Sequence, residues 1–408
     1  VGSLIMFPQM FLKSFGYAGV GVVAMAVLGA LIPLPAILGI LGNRVDALTI
    51  RRSAIVPREE GRWAKTARFV MRRPVAVVLI TLIILGVCAA PLKNIVFSQA
   101  DTRVLPVSNR VAIASQFTLE KFPGQEANPI EFIIPHGAGL TTQITEYEAK
   151  IARVSGIVRV NPVQTSGDIV RFTAIHSVGP RTPAAQDLIN RLRAISAPHG
   201  TLIGGVAADY ADSQAGIIHS LPLVFIWIGL TVLILLFLFT GSIILPIKAV
   251  ILNVLSLAAA FGVLTWVFID GHLTWLVGTF TRTGTVDTSM VILTAIVTFG
   301  LSMDYELFLL SRIKEEHEKG NANIDAVAIG LQRSARIITA AAVLLAVVFA
   351  AFLTSGVTSI KTLGFGTALA ILVDASLVRA FLVPALMRLF GEWNWWAPKW
   401  MRRFTITH

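Results

Sequence analysis

The segment Gly300-Leu-Ser-Met-Asp304-Tyr305-Glu306 sets two acids and a phenol inside an otherwise apolar run. Ionisable groups within hydrocarbon are costly, so they mark functional positions. Asp287-Thr288-Ser289 offers polar caps at one end of this stretch, and Arg312 and Lys314 mark the other. Asp304 then lies about 15 residues, or roughly 22 Å, along a helix rising 1.5 Å per residue. A carboxyl at that depth can take up and release a proton, which a proton-coupled machine needs. Tyr305 puts beside it a hydroxyl able to donate or accept. Gly300 lies one turn before Asp304 on the same face and leaves room for a neighbouring helix. Glu306 is about 200° round the helix from Asp304 and is expected at an inner interface.

A second intramembrane pair, Asp374 and Arg379, lies in ILVDASLVRAFLVPAL. Five residues apart, they should not stack on an α-helix. Arg379 should snorkel toward the nearer end. A packing ion pair is the preferred reading and a relay role the alternative. Asn253 and Ser256, in another apolar stretch, read as helix–helix glue. The single cysteine, Cys88, reads as apolar filler and excludes an internal disulfide framework. Arg312–Gly320 (RIKEEHEKG) reads as a solvated amphipathic helix along a membrane surface. The chain has no GxxxxGK[ST], HExxH, CxxC or GxSxG. No catalytic residue, metal site or cofactor is therefore expected.

The elements that must hold these residues are apolar spans. Of 408 residues, 55% are hydrophobic and only 14% charged, yet the net charge is +11. That composition excludes a disordered chain and is unlike a soluble enzyme. Seven stretches approach or exceed the ~20 apolar residues that cross a bilayer: Phe15–Leu41, Val75–Leu92, Leu221–Phe239, Ala249–Ile269, Ser289–Leu310, Ile337–Leu353 and Leu363–Leu389. Residues 1–10 read as the tail of an eighth. The sequence is thus expected to begin inside a membrane helix, as a fragment or one product of a split gene.

If the spans alternate, the charge sorts by side. Asn43–Arg73 carries nine basic and three acidic residues, Arg312–Arg336 five and four, Arg388–His408 four and one, and Lys248 lies in a short turn. These account for the whole excess on one side, which the positive-inside rule makes cytoplasmic. Residues 101–215 carry ten of each sign and fall on the opposite, periplasmic side. The basic balance therefore reports orientation and not a nucleic-acid partner.

The expected organisation follows. Residues 1–42 hold the last helices of a first membrane repeat, 43–73 a basic linker, and 74–92 one span. Residues 93–216 form a porter-like domain, 217–391 a five-helix bundle, and 392–408 a tail. Within the domain, strands are predicted at Asn128–Pro135, Ile157–Gln164, Asp168–Ile175 and Thr201–Gly205. Helices are predicted at Thr141–Val154 and Thr182–Ile195, the latter with Thr182 and Pro183 at its start. The order is that of a split βαβ motif. An internal repeat is also visible: LKSFGY (Leu12–Tyr17) with IKTLGF (Ile360–Phe365), and PAILGILG (Pro35–Gly42) with PALMRLFG (Pro384–Gly391). Parallel repeats of this kind occur in transporters.

GLSMDYELFLLSRIKEE (Gly300–Glu316), the run Ser355–Met387 and the run Leu235–Phe268 resemble the MMPL family, the mycobacterial-membrane-protein-large branch of the RND transporters. RVLPVSN, KFPGQEANPIEF and NWWAP are similar too. The resemblance implies an α-helical polytopic protein of the RND fold, two pseudo-symmetric halves of six helices, each with a periplasmic porter domain. It implies proton-driven export of lipids, glycolipids or other hydrophobic compounds from a bacterial plasma membrane. It implies that Asp304 and Tyr305 form one proton-relay pair; the residues themselves offer Gly300, Asp374, Arg379 and Asn253 as supporting intramembrane positions. The repeat places the partner Asp–Tyr pair upstream of Val1. Expected partners are a hydrophobic substrate (lipid or drug), membrane lipids and the missing N-terminal half; homo-oligomerisation is left open. The alternative reading is a non-transporting receptor or assembly subunit on an RND-like scaffold.

Overall fold

The computed structural model describes residues 1–46, 61–122, 124–398 and 400–401. Much of the basic linker (47–60) and the end of the tail (402–408) thus lie outside the described residues. A short 3-10 turn leads into α1 (Met10–Leu31) and α2 (Pro33–Leu41), followed by α3 (Arg62–Arg72) and α4 (Pro74–Ala89). Next come β1 (Phe97–Ser98), α5 (Arg110–Lys121), β2 (Ile130–Ile134) and α6 (Thr141–Ala152). They are followed by β3 (Ile157–Val160), β4 (Gln164–Ser166), β5 (Ile169–His176), α7 (Pro183–Arg193) and β6 (Leu202–Gly204). The chain continues with α8 (Val206–Thr240), α9 (Ile244–Phe268), the short α10 (Thr274–Val277) and β7 (Val286–Asp287). It closes with α11 (Thr288–Glu318), α12 (Asn323–Ala350), α13 (Thr358–Val373) and α14 (Val383–Phe390).

Among the described residues, seven helical stretches are long and apolar enough to cross a membrane, and each contains or closely overlaps one of the expected spans. Several are longer than hydropathy predicts. α8 runs unbroken for 35 residues, about 52 Å at the α-helical rise. Its first turns carry Ala207, Ala208 and Ala211 into the core of the inserted domain. The boundary expected at 216 therefore falls inside one helix. α11 likewise runs straight through Arg312 to Glu318. The separate surface helix expected at Arg312–Gly320 is instead this helix's own end. Nothing in RIKEEHEK breaks a helix, and the chain turns only at Gly320, whose φ is +90°.

The inserted domain has the predicted element order. Its sheet runs β3-β5-β2-β6, with β4 pairing β5, and every pairing is antiparallel. The strand predicted over Ile157–Gln164 is split into β3 and β4, with a register shift between Ile157 and Arg159. Burial alternates strictly along β2 and through the first half of β5, as a one-face-buried sheet requires. Phe132 and Phe172 face each other across those strands and stack at 4.8 Å. Helix α7 starts at the predicted Thr182–Pro183, but Thr182 makes no capping bond; its hydroxyl donates to the Gly179 carbonyl. α5 was not predicted. None of its residues is buried.

His176 is fully buried beneath this sheet, with Nε2 3.0 Å from the Asn128 carbonyl. Burial pulls its pKa below the usual value, against the upward pull of backbone hydrogen bonds at Asn128 and Val178. The unfolded chain takes up this proton near pH ~6.5, whereas the folded domain takes it up only at lower pH. The contribution is thus fully present above that pH and is lost as pH falls toward the folded value. The domain should resist proteolysis less at pH ~5.5 than at ~7.5, measured against a denatured control to remove the protease's own pH response. His176→Gln should flatten that difference; an unchanged difference would assign it to other groups.

The repeat has a structural counterpart. α2 ends at Gly42 (φ 46°, ψ −129°) and α14 at Gly391 (φ 52°, ψ −130°), and each runs on into a 3-10 turn. A positive φ is inexpensive only for glycine, which explains why both copies carry it there. Close packing of α4 on α9 rests on Gly262, where an added Cβ would stand 2.2 Å from the Cys88 carbonyl oxygen.

Candidate functional site

Three consecutive residues of α11 fan out at about 100° steps, as helical geometry dictates. Asp304 is exposed, on a face of α11 whose earlier turns, at Leu293 and Ile296, pack against Leu4, Phe7 and Leu12. Gly300 shares that face, and a Cβ there would meet nothing within 4 Å. The neighbouring helix expected against Gly300 is thus not among the described residues. Tyr305 points to the side, with its ring under the Arg379 guanidinium at 5.2 Å. Glu306 points inward and is 2% exposed.

Asp374 and Arg379 form the preferred ion pair, but with a geometry that corrects the sequence reading. Their side chains meet, Arg379 Nη2 to Asp374 Oδ2, at 2.6 Å. An α-helix would hold residues five apart about 140° away from each other. Residues Asp374–Leu382 form a π-helix instead. Its i→i+5 hydrogen bonding brings such residues onto one side. Nor does Arg379 snorkel: it is 1% exposed. Its Nη2 donates to the carbonyl oxygen of Ser302 and, at 3.1 Å, to the Ser302 hydroxyl. The π-turn of the last span is thus tied to α11 one turn from Asp304, through Arg379, Ser302 and Tyr305.

Several polar atoms around this tie have no hydrogen-bond partner among the described residues. They are Asp374 Oδ1, Arg379 Nε and Nη1, Glu306 Oε2, Thr298 Oγ1 and Thr367 Oγ1. Two small cavities lie beside them. One is bordered by Thr298, Ser302, Tyr305 and Asp374. The other is bordered by Glu306, Lys248, Leu252, Leu310 and Met387. Unpaired buried polar atoms of this kind are expensive in a merely structural setting.

Lys248 and Glu306 are the residues that sequence reasoning undervalued. Lys248 was expected in a turn, but it lies one turn inside α9. Its ammonium donates to Asn394 Oδ1, with Met387 Sδ at 3.4 Å. Asn394 is fully buried and also donates to the carbonyls of Met387 (2.8 Å) and Gly391 (2.6 Å). The only sequence signal for this cluster was a lysine and a glutamate flanked by leucine and isoleucine. Asn253 is buried as expected, but its Nδ2 donates to Ala249 O at 2.9 Å within its own helix. Among the described residues it makes no hydrogen bond to another helix. A mid-helix asparagine has its own i−4 carbonyl within reach. Ser256 finds no partner among the described residues.

The predicted caps hold. Asp287 Oδ1 accepts from the N–H groups of Ser289 (2.8 Å) and Met290 (3.4 Å), at the start of α11. β7 pairs in parallel with β1, which anchors this helix end to the entry of the inserted domain. A cavity of about 460 Å³ lies between α5 and that domain, bordered by Arg103, Val111, Ala114, Leu119 and Arg181. Among the described residues, no group of three or more His, Cys, Asp or Glu could hold a metal ion.

Comparison with known proteins gives three findings. Residues 162–406 match the MMPL family. The chain is 36% identical to the trehalose monomycolate exporter MmpL3 of Mycobacterium tuberculosis, over 98% of this chain and 47% of that protein. It is 34% identical to the mycolic acid-containing lipids exporter MmpL11 of Mycolicibacterium smegmatis, over 96% of this chain and 42% of that protein. A crystal structure of SecDF in its super-membrane-facing form aligns at a TM-score of 0.42 with 12% identity, over 95% of this chain and 46% of that one. The chain spans about half the length of the curated relatives it matches.

Proposed function

The chain belongs to the MMPL family, and from that premise we propose that it forms part of a transporter exporting a lipid, glycolipid or other hydrophobic compound on the proton gradient. It is a multi-pass membrane protein of the RND fold. In this reading the membrane is the plasma membrane of a bacterium. The end bearing α3 and the C-terminal turn is cytoplasmic, because the charge excess gathers there. The inserted domain is then periplasmic. The complete transporter includes a further membrane half, which covers the open face of α11.

The observation that carries the reading is the fan at residues 304–306. Asp304 is the proton carrier on the open face. Tyr305, beside it, reaches the buried Arg379–Asp374 pair through its ring, which lies under the Arg379 guanidinium. The π-turn couples protonation at α11 to the last span, because Arg379 contacts both. Glu306 and Lys248 lie on the cytoplasmic side of that coupling. No catalytic residue is assigned, and the MmpL3 of Mycobacterium tuberculosis and the MmpL11 of Mycolicibacterium smegmatis are named as exporters. The cavity beneath α5 falls in the size range of ligand pockets, roughly 300–1,000 Å³. It would hold part of a hydrophobic substrate.

The test uses the complete protein in proteoliposomes with an imposed pH gradient and a fluorescent lipid analogue. Export should stop when a protonophore dissipates the gradient. Export that continues at the same rate after the gradient collapses would sink the proton-coupling reading.

A further inference from the structure

α3 has two unlike sides. One side of this helix, Ala64, Ala67, Val70 and Met71, is buried. Three of those four residues belong to the same apolar core as Leu331 and Ala335 of α12. Gln332 of α12 accepts the Ala64 N–H at 3.1 Å and so satisfies one of the helix's free N-terminal donors. The opposite side is a stripe at helical spacing: Arg62, Lys65, Phe69 and Arg72, all exposed, with Phe69 68% exposed. The neighbouring Arg68 pairs with Asp325 at 3.5 Å. Arg62, Lys65 and Arg72 form no ion pair among the described residues. A single residue, Arg73, separates α3 from Pro74, where the apolar span of α4 begins.

We propose that this stripe binds the headgroups of anionic phospholipids in the inner leaflet. Three cations flank one exposed aromatic ring on a helix whose other face is already packed. That is the arrangement of an interfacial helix, in which cations meet phosphate and the ring enters the headgroup boundary. Charge complementarity selects the partner, and the one-residue link to α4 pins the stripe at headgroup depth. Bound lipid would hold α3 against α12 and, through their shared core, steady the basic end of the bundle.

The inference rests on the basic end being cytoplasmic, and the two can fail separately. Sidedness is read by labelling a Lys65→Cys protein from either face in a Cys88→Ser background. Lipid binding is read on the purified complete protein in detergent by native mass spectrometry, with phosphatidylglycerol or phosphatidylcholine added. The wild type should retain phosphatidylglycerol preferentially, and rising salt should weaken that preference by screening. Arg62→Gln/Lys65→Gln/Arg72→Gln should lower it by about tenfold or more, since each cation near an anionic surface contributes roughly fivefold. Arg62→Lys/Arg72→Lys should keep it. A wild-type protein that shows no preference, or one insensitive to salt, overturns the proposal even if the triple variant does not fold. So does equal retention by the triple variant. Loss of a bound acidic protein or nucleic acid from that variant, with phosphatidylglycerol ignored throughout, would reassign the stripe and overturn the proposal too.

Discussion

Asp304→Asn in the complete transporter should leave insertion and stability near wild type and cut gradient-driven export by about a hundredfold or more, the scale for losing an essential proton-transfer group. Asparagine copies the shape of the side chain but cannot carry the proton. Folding should change little, because asparagine keeps the size of the side chain and can still donate and accept hydrogen bonds at the covered face. Export is read from proteoliposomes and stability from a thermal melt of the same preparation. Asp304→Glu, which keeps the acid, should retain part of the activity. Normal export by Asp304→Asn would remove Asp304 from the relay.

The second large effect is expected at Arg379. Arg379→Met should strand the Asp374 carboxyl in an apolar span, where its one ion-pair partner among the described residues is this guanidinium. Removing one member of a buried ion pair costs about 3–5 kcal/mol. The same change releases Ser302 and uncovers the Tyr305 ring. The double variant Asp374→Asn/Arg379→Met should recover most of that stability, because no uncompensated charge remains. It should still fail to export, since the link between α11 and the π-turn is gone. Intrinsic tryptophan fluorescence during thermal unfolding separates the two cases. A single variant as stable as wild type would show that the pair is not buried in the working protein. A double variant with full export would make the pair a packing device alone.

These two positions show how legibility varied along the chain. Asp304 and Tyr305 stood out because an acid inside a long apolar run is conspicuous without any knowledge of neighbours. The seven spans were visible for the same reason, and α7 announced itself through Thr182–Pro183. An Asp374–Arg379 ion pair was the preferred reading, but the direct contact within one helix was not legible. It depends on a π-turn, and the spacing of charges had been judged on α-helical geometry. Lys248 was placed in a loop because a single lysine near the edge of a span looks solvated. Its partner Asn394 is 146 residues away. Glu306 was assigned to an interface without its cavity or its lysine.

Local chemistry therefore determined, from the sequence alone, which segments leave water and the element order of the inserted domain. Both follow from transfer free energies and backbone preferences that act over a few residues to a few turns, whereas the family was read from the likeness of whole motifs such as GLSMDYELFLLSR. Tertiary structure decided which polar groups meet. It turned Glu306 toward Lys248, joined Arg379 to Asp374 and Ser302, and left Asp304 and Gly300 on an open face. It also gave α3 one packed side and one free basic side. Those outcomes depend on helix rotation and on contacts between distant segments, where a single extra residue in one turn moves a side chain to another face. Periodicity read along one helix carries no information about that choice.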